Sequence, residues 1–231
     1  MQLLGPAVVL VTACTLARAS TITYVTPTGS STSGGAVDAS ATFTTNDDGT
    51  VNITLTDLEA NPTDVAQLIS DLDFTFSNGA TTGALSSSSG QEITVAKNGT
   101  FTLGSKVATG WLLNDGVAGG LQLDVLGGAG PAHLIIGPSG PGDVYSNANG
   151  SIAGNKPHNP FLDGTATFTL DVPGVTSATT ITSATFSFGT TDGIDVPGTP
   201  GTSTSVPEPA TYMLFSSALG LVALAKRFRK V

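Results

Sequence analysis

An all-β fold, a single antiparallel β-sandwich of jelly-roll type, is the class this sequence predicts, and three observations predict it. Apolar residues alternate with Thr, Ser, Asn or Asp through most of the middle of the chain. Such alternation turns one face of each segment to a core and the other to water. Asn-Gly and Asp-Gly pairs punctuate the alternating runs, as tight hairpin turns require. Helical spacing is nearly absent. Only Asp64 to Leu72 could pass for a helix, through Val65, Leu68, Ile69 and Leu72, and it is short.

The elements follow in chain order. Residues 1–19 read as a secretory signal peptide: an apolar stretch from Leu3 to Leu16, then Ala17-Arg18-Ala19, a small-x-small site for cleavage before Ser20. No Lys or Arg precedes the apolar run, a departure from the usual leader. Val11-Thr12-Ala13-Cys14 also resembles a lipobox, which would make Cys14 a lipidated N-terminus. Simple cleavage, after passage through the Sec translocon, is the expectation.

Residues 20–195 then form one domain. Ala41–Thr44, Val51–Thr56, Phe74–Phe76, Ile93–Val95, Phe101–Leu103, Leu121–Val125, Thr165–Val172 and Thr180–Phe188 all read as strands. Asn98-Gly99, between two alternating runs, is the strongest hairpin signal. Gly127 to Gly164 is dense in Gly, Pro and Asn, with one apolar patch at Leu134-Ile135-Ile136. So long an irregular segment is either functional or mobile. Residues 196–205, rich in Pro, Gly, Ser and Thr, read as a linker.

The last 26 residues carry the clearest signal. They begin Val206-Pro207-Glu208-Pro209-Ala210-Thr211, continue through an apolar segment at 210–225, and end in the basic tail 226–231 with Lys226, Arg227, Arg229 and Lys230. Sixteen apolar residues reach roughly 24 Å as a helix, short of the ~30 Å hydrocarbon core. Snorkelling basic side chains and local thinning absorb the mismatch, and the basic cluster keeps the C-terminus cytoplasmic. In motif, apolar span, basic cluster, order and spacing this segment resembles the PEP-CTERM sorting signal, also known as the ice-binding protein C-terminal domain. The resemblance implies recognition by an exosortase-type membrane protease. It also implies a transient stay at the inner membrane, then release to the cell surface or the exopolysaccharide matrix. Proteins of many folds share the signal, so it carries no biochemical activity. In loose outline the whole chain is similar to uncharacterised secreted proteins with this leader–sandwich–linker–anchor plan.

Charge and composition narrow the function classes. Outside the leader and tail only Lys97, Lys106 and Lys156 face sixteen acidic side chains, a net of −13. No basic patch exists to neutralise phosphates, so a nucleic-acid partner is excluded. Cys14, the single cysteine, lies in the leader, which excludes thiol catalysis and cysteine metal sites from the mature domain.

No catalytic constellation emerges. His133 and His158 are the two histidines, and neither has a triad context. Gly137-Pro138-Ser139-Gly140 lacks the spacing of a nucleophile elbow. Paired carboxylates for glycoside hydrolysis could come from Asp71, Asp73, Glu92, Asp115 and Asp124, but a sugar groove usually needs several aromatics and this chain has one Trp. Calcium is the best ion candidate, at the turns holding Asp47, Asp48, Asp192 and Asp195, although Asn, Asp and Gly are also the ordinary turn formers. Threonine pairs such as Thr42/Thr44, Thr54/Thr56 and Thr167/Thr169 each share a strand face. No fixed repeat stacks them, so they read as solvent-facing β-threonine rather than an ice-binding array.

The sequence therefore predicts an exported, non-enzymatic protein associated with exopolysaccharide, with no obligatory cofactor. Trp111, His133, Tyr145 and His158 are its expected carbohydrate-facing residues. A polysaccharide-active hydrolase and a self-associating surface or adhesin subunit are the alternatives.

Overall fold

A computed structural model describes residues 19–127, 133–156, 158–191, 193–201 and 204–206. The apolar leader with Ala17, the motif residues Pro207, Glu208 and Pro209, the apolar segment 210–225, the basic Lys226, Arg227, Arg229 and Lys230, and Asp192 lie outside the described residues. Among the described residues no helix is long and apolar enough to cross a membrane.

The all-β class holds. The first strands are β1 (Ala19–Val25), β2 (Ser31–Thr32), β3 (Gly35–Ala36), β4 (Ala39–Asn46) and β5 (Thr50–Asp57). Then come β6 (Ile69–Phe76), β7 (Ala84–Val95), β8 (Phe101–Val107), β9 (Leu112–Asp115), β10 (Leu121–Asp124) and β11 (Ile135–Ile136). The last described strands are β12 (Phe161–Asp171), β13 (Ile181–Phe188), β14 (Asp195–Pro197), β15 (Thr199–Pro200) and β16 (Thr204–Val206).

The period-two pattern decides which face each strand buries. Ala39, Ala41 and Phe43 of β4, Val51, Ile53 and Leu55 of β5, and Ala166, Phe168 and Leu170 of β12 all point inward. Their Thr, Ser and Asn neighbours point outward. Six phenylalanines, Phe43, Phe74, Phe161, Phe168, Phe186 and Phe188, are fully buried. Each stabilises the fold by about 1.5–3 kcal/mol through apolar area removed from water.

Hydrogen bonding joins all the strands but β2 and β3, which pair with each other, along the path β14-β13-β6-β11-β12-β5-β4-β1-β15, with β7 and β8 branching from β12, β10 and β9 from β6, and β16 from β1. The path doubles back on itself. Phe43 of β4 packs on Phe74 of β6 at a ring separation of 5.3 Å, although three strands separate them in the order. Trp111 packs on Phe168 of β12 at 5.3 Å in the same interior. One layer is therefore β8-β7-β12-β5-β4-β1 and the facing layer β9-β10-β6-β13-β14.

Two short bridges connect the layers. Ile135 of β11 pairs with Ile69 of β6 on one side and, in parallel, with Leu162 of β12 on the other. At the opposite margin β14 pairs with β13 and β15, two residues on, pairs with β1. Gly198 stands between them and donates its N–H to the Ala184 carbonyl at 2.8 Å. A Cβ there would lie 2.9 Å from Phe186 Cε2 and 3.1 Å from the Ala184 oxygen, so the turn from one layer to the other needs glycine.

Two expectations are corrected, and the one stretch that could pass for a helix is assigned. The sheet is mixed rather than purely antiparallel, because β11 and β12 run parallel. Residues 64–72 are not a helix: Val65–Gln67 make a single 3-10 turn and β6 begins at Ile69. Asp64 caps that turn by accepting the Ala66 N–H at 2.9 Å, and Gln67 Oε1 accepts the Asp64 N–H at 3.0 Å. The stretch expected as a linker contributes β14, β15 and β16 to the sheet.

The Asn98-Gly99 turn joins β7 to β8, with Gly99 in the left-handed region at φ +85°. Within the irregular 127–164 segment, Leu134, Ile135, Ile136, Tyr145, Ala148 and Ile152 are buried.

Candidate functional site

The four residues expected to face carbohydrate are all buried. Trp111 is 2 % exposed and donates Nε1–H to the His133 carbonyl at 2.8 Å. His133 is 2 % exposed; its Nδ1 meets the Thr109 carbonyl at 2.9 Å, which places the proton on Nδ1. Its Nε2 lies 3.2 Å from Glu92 Oε1 without hydrogen-bond alignment. Tyr145 donates its hydroxyl to the Gly137 carbonyl at 3.0 Å, packs edge-on against Phe101, and has its phenol pushed up by burial. His158 is buried as well. These residues tie loops to the core, and none offers an open ring face to a sugar.

The calcium candidates do not form one centre. Asp48 Oδ1 accepts the Thr50 N–H and hydroxyl at 3.0 and 2.7 Å, and the hydroxyl contact in particular holds its carboxyl below the usual range. Asp47 accepts the Ser177 N–H at 3.0 Å. Among the described residues no group of three or more His, Cys, Asp or Glu side chains is arranged to hold a metal ion.

Of the five carboxylates considered for hydrolysis, three come together. Glu92 sits beside His133, and Asp115 accepts the Gly83 N–H at 3.0 Å. Asp71, Asp73 and Asp124 line one pocket of about 250 Å3, joined by Asp195 from β14. Strand register brings them there. Asp124 of β10 pairs with Asp71 of β6, Asp71 with Ser187 of β13, and Ser187 with Asp195. One rank of the outer face therefore reads Asp-Asp-Ser-Asp across four strands.

Neighbouring donors are already engaged. Gln122 Nε2 donates to Asp71 Oδ2 at 2.6 Å, and Ser187 Oγ donates to Asp195 Oδ1 at 2.6 Å. Asp124 accepts the Leu126 and Gly127 N–H groups at 2.6 and 3.0 Å. Burial raises the Asp73 carboxyl, and the Asp195 and Asp124 charges raise it further against the Gln122 amide. Asp73 Oδ1 is buried without a hydrogen-bond partner, and so is the Oγ of Ser70, which lines the same pocket and is fully buried.

A second feature covers the outer face of the opposite layer. Thr23, Thr42, Thr54, Thr167 and Ser89 stand in register across β1, β4, β5, β12 and β7. The next rank is Thr21, Thr44, Asn52, Thr169 and Ser87, and a shorter third is Ser40, Thr56 and Thr165. None of these side chains is charged. Neighbours bond one another, Thr23 to Thr42 at 2.8 Å and Thr21 to Thr44 at 3.0 Å. The sequence showed the threonine pairs; only strand register shows that they form ranks.

An acidic, exported-type β domain that closes on its own ends is the class these features define. The tail identifies the route: residues 205–230 match the family model described as the PEP-CTERM protein-sorting motif. The chain is thus a PEP-CTERM sorting-signal protein, and the motif implies exosortase recognition, export, membrane processing and delivery to the surface. No curated protein and no solved structure matches the chain.

Proposed function

We propose that this chain is a non-enzymatic surface protein that associates with exopolysaccharide through the hydroxyl ranks on β1, β4, β5, β12 and β7. Its leader passes the Sec translocon and is removed by signal peptidase. Its tail holds it in the inner membrane until an exosortase-type protease acts, and the two-layer, sandwich-like body is then delivered to the matrix. The observation that carries this reading is the broad, uncharged array of hydroxyl and amide groups, on a domain whose sorting motif sends it outward. Such groups both donate and accept hydrogen bonds, as polysaccharide hydroxyls do. Unlike a strongly acidic face, this one does not repel an anionic polymer.

Co-sedimentation of the purified chain with the producing organism's exopolysaccharide tests it, with calcium or chelator present and released reducing sugar assayed in the same tubes. Saturable binding without sugar release is expected. Binding should be lost when Thr42 and Thr54 are both replaced by Glu, with the unfolding midpoint retained. Binding that survives this change would overturn the assignment of the face.

One observation favours a polysaccharide-active hydrolase as the second reading: Asp73, its carboxyl raised, shares a pocket with Asp71, Asp124 and Asp195. An acid with a raised pKa beside an ionised carboxylate is the pairing glycoside hydrolysis uses. Among the described residues the pocket wall contains no aromatic platform, and Leu126 is its one apolar side chain. Sugar release abolished by Asp73→Asn would establish the hydrolase instead.

A further inference from the structure

We propose that the pocket on the outer face of β6, β10, β13 and β14 binds the protonated amino group of a hexosamine unit. This rests on the matrix-polysaccharide reading above and names a ligand chemistry within it. Asp71, Asp73, Asp124 and Asp195 line the pocket, and among the described residues no Lys or Arg does. Two nearby side-chain donors are engaged: Gln122 serves Asp71 and Ser187 serves Asp195. What stays unmatched is an excess of acceptors and negative charge.

Ser70 supplies the independent sign of a missing partner. It is fully buried in the pocket wall, and its Oγ has no hydrogen-bond partner. A buried hydroxyl left so is destabilising, a cost that an incoming polar group removes. Asp73, three residues further along β6, has Oδ1 buried and unmatched as well.

The ligand must therefore bring positive charge, several donors and polar surface. An ammonium group has three donors and no acceptor. A bare divalent ion fits less well. The described carboxylates do not converge on one point, and the volume of about 250 Å3 corresponds to about eight water molecules. A lysine side chain would need an apolar trench for its methylene stem, and Leu126 alone cannot form one. A hexosamine ring presents hydroxyls on all sides, suited to Ser70, Gln122 and Thr191.

The test titrates the full-length chain, in mild detergent, with glucosamine, N-acetylglucosamine, N-acetyl-lysine amide and calcium chloride, read by calorimetry and ligand-observed NMR. Glucosamine is expected to bind saturably, with affinity about tenfold or more weaker for N-acetylglucosamine, which lacks the charge. Asp73→Asn should weaken glucosamine binding by a similar factor. Asp195→Asn, at an exposed position, carries the same test if the first variant fails to fold. Equal binding of both sugars would overturn the ammonium requirement. Tighter binding of the lysine derivative would assign the pocket to a basic protein side chain. Calcium binding without amine binding would make it a cation site, and no binding of any probe would end the proposal. Exopolysaccharide co-sedimentation of the same variants separates the two ideas: retained sedimentation with lost glucosamine binding leaves the hydroxyl-face reading standing.

Discussion

Tyr24 of β1 donates its hydroxyl to the carbonyl of Ile181 on β13 at 3.0 Å, across the interior from one layer to the other. Both residues are buried, each at 3 % exposure, and Tyr24 also packs edge-on against Phe43 at 6.2 Å. The bond stands close to the margin where β14 and β15 join the two layers. Removing it in Tyr24→Phe keeps the ring packing and strands the Ile181 carbonyl. A loss of about 1–2 kcal/mol in urea unfolding is expected. An unchanged midpoint would show that the cross-layer bond does not contribute to stability.

Gly198 makes a sharper test of the same margin. In Gly198→Ala the added methyl meets Phe186 and the Ala184 oxygen, so either the ring or the closing turn must shift. Destabilisation of about 1–3 kcal/mol is expected from such overpacking. Amide exchange should rise in β15 and the start of β1 before it rises in β5 and β12. Uniform exchange across all four strands would contradict a local closure.

Asp57 predicts a pH dependence. It is 1 % exposed, and burial raises its carboxyl well above the ordinary value, with the charges of Glu59 and Asp38 adding to the rise. The Glu59 N–H, 3.1 Å from Oδ1, and the Gly137 N–H oppose it. The folded state therefore holds a proton that the unfolded chain releases near pH 4. Stability from this group is fully present below that pH and is lost as pH rises through the folded value. In Asp57→Asn the fall in unfolding free energy from pH 5 to 8 should become shallower. Parallel slopes in the two proteins would remove Asp57 from the account.

Trp111 separates packing from recognition. Its ring rests on Phe168 and its Nε1 bonds the His133 carbonyl, so Trp111→Phe should cost about 2–4 kcal/mol of stability. Exopolysaccharide sedimentation at a temperature where the variant is folded should stay unchanged. Selective loss of binding would return Trp111 to the ligand-contacting role expected from its residue type.

What the sequence revealed and what it hid divide along a physical line. Alternation is local, so the faces of β4, β5 and β12 were legible, as was the Asn98-Gly99 hairpin. Register is not local. Nothing in the spacing of Asp71, Asp124 and Asp195 says that they share a rank, because that follows from which residue faces which across β10, β6, β13 and β14. The same holds for the threonine ranks. Composition misled at residues 196–200, within the expected 196–205 linker: Pro and Gly usually mark a free linker, but here Gly198 lets the chain cross between layers and Pro197 and Pro200 sit at the ends of short strands. Trp111, His133 and Tyr145 each have a polar tip, which suggested a surface role. Each satisfies that tip on a backbone carbonyl inside the protein instead.

The pairing of β16 with β1 sets Ser205 opposite Ser20 and Val206 opposite Ala19. The sorting motif begins at residue 205, so its first two residues are already laced into the sheet. A free ten-residue stalk would give roughly 33 Å of leash. This chain spends most of that length on strand pairing, through β14, β15 and β16. The start of β1 and the start of the sorting motif thus meet at one seam, closed by three backbone residue pairs from Ala19–Val206 to Thr21–Thr204.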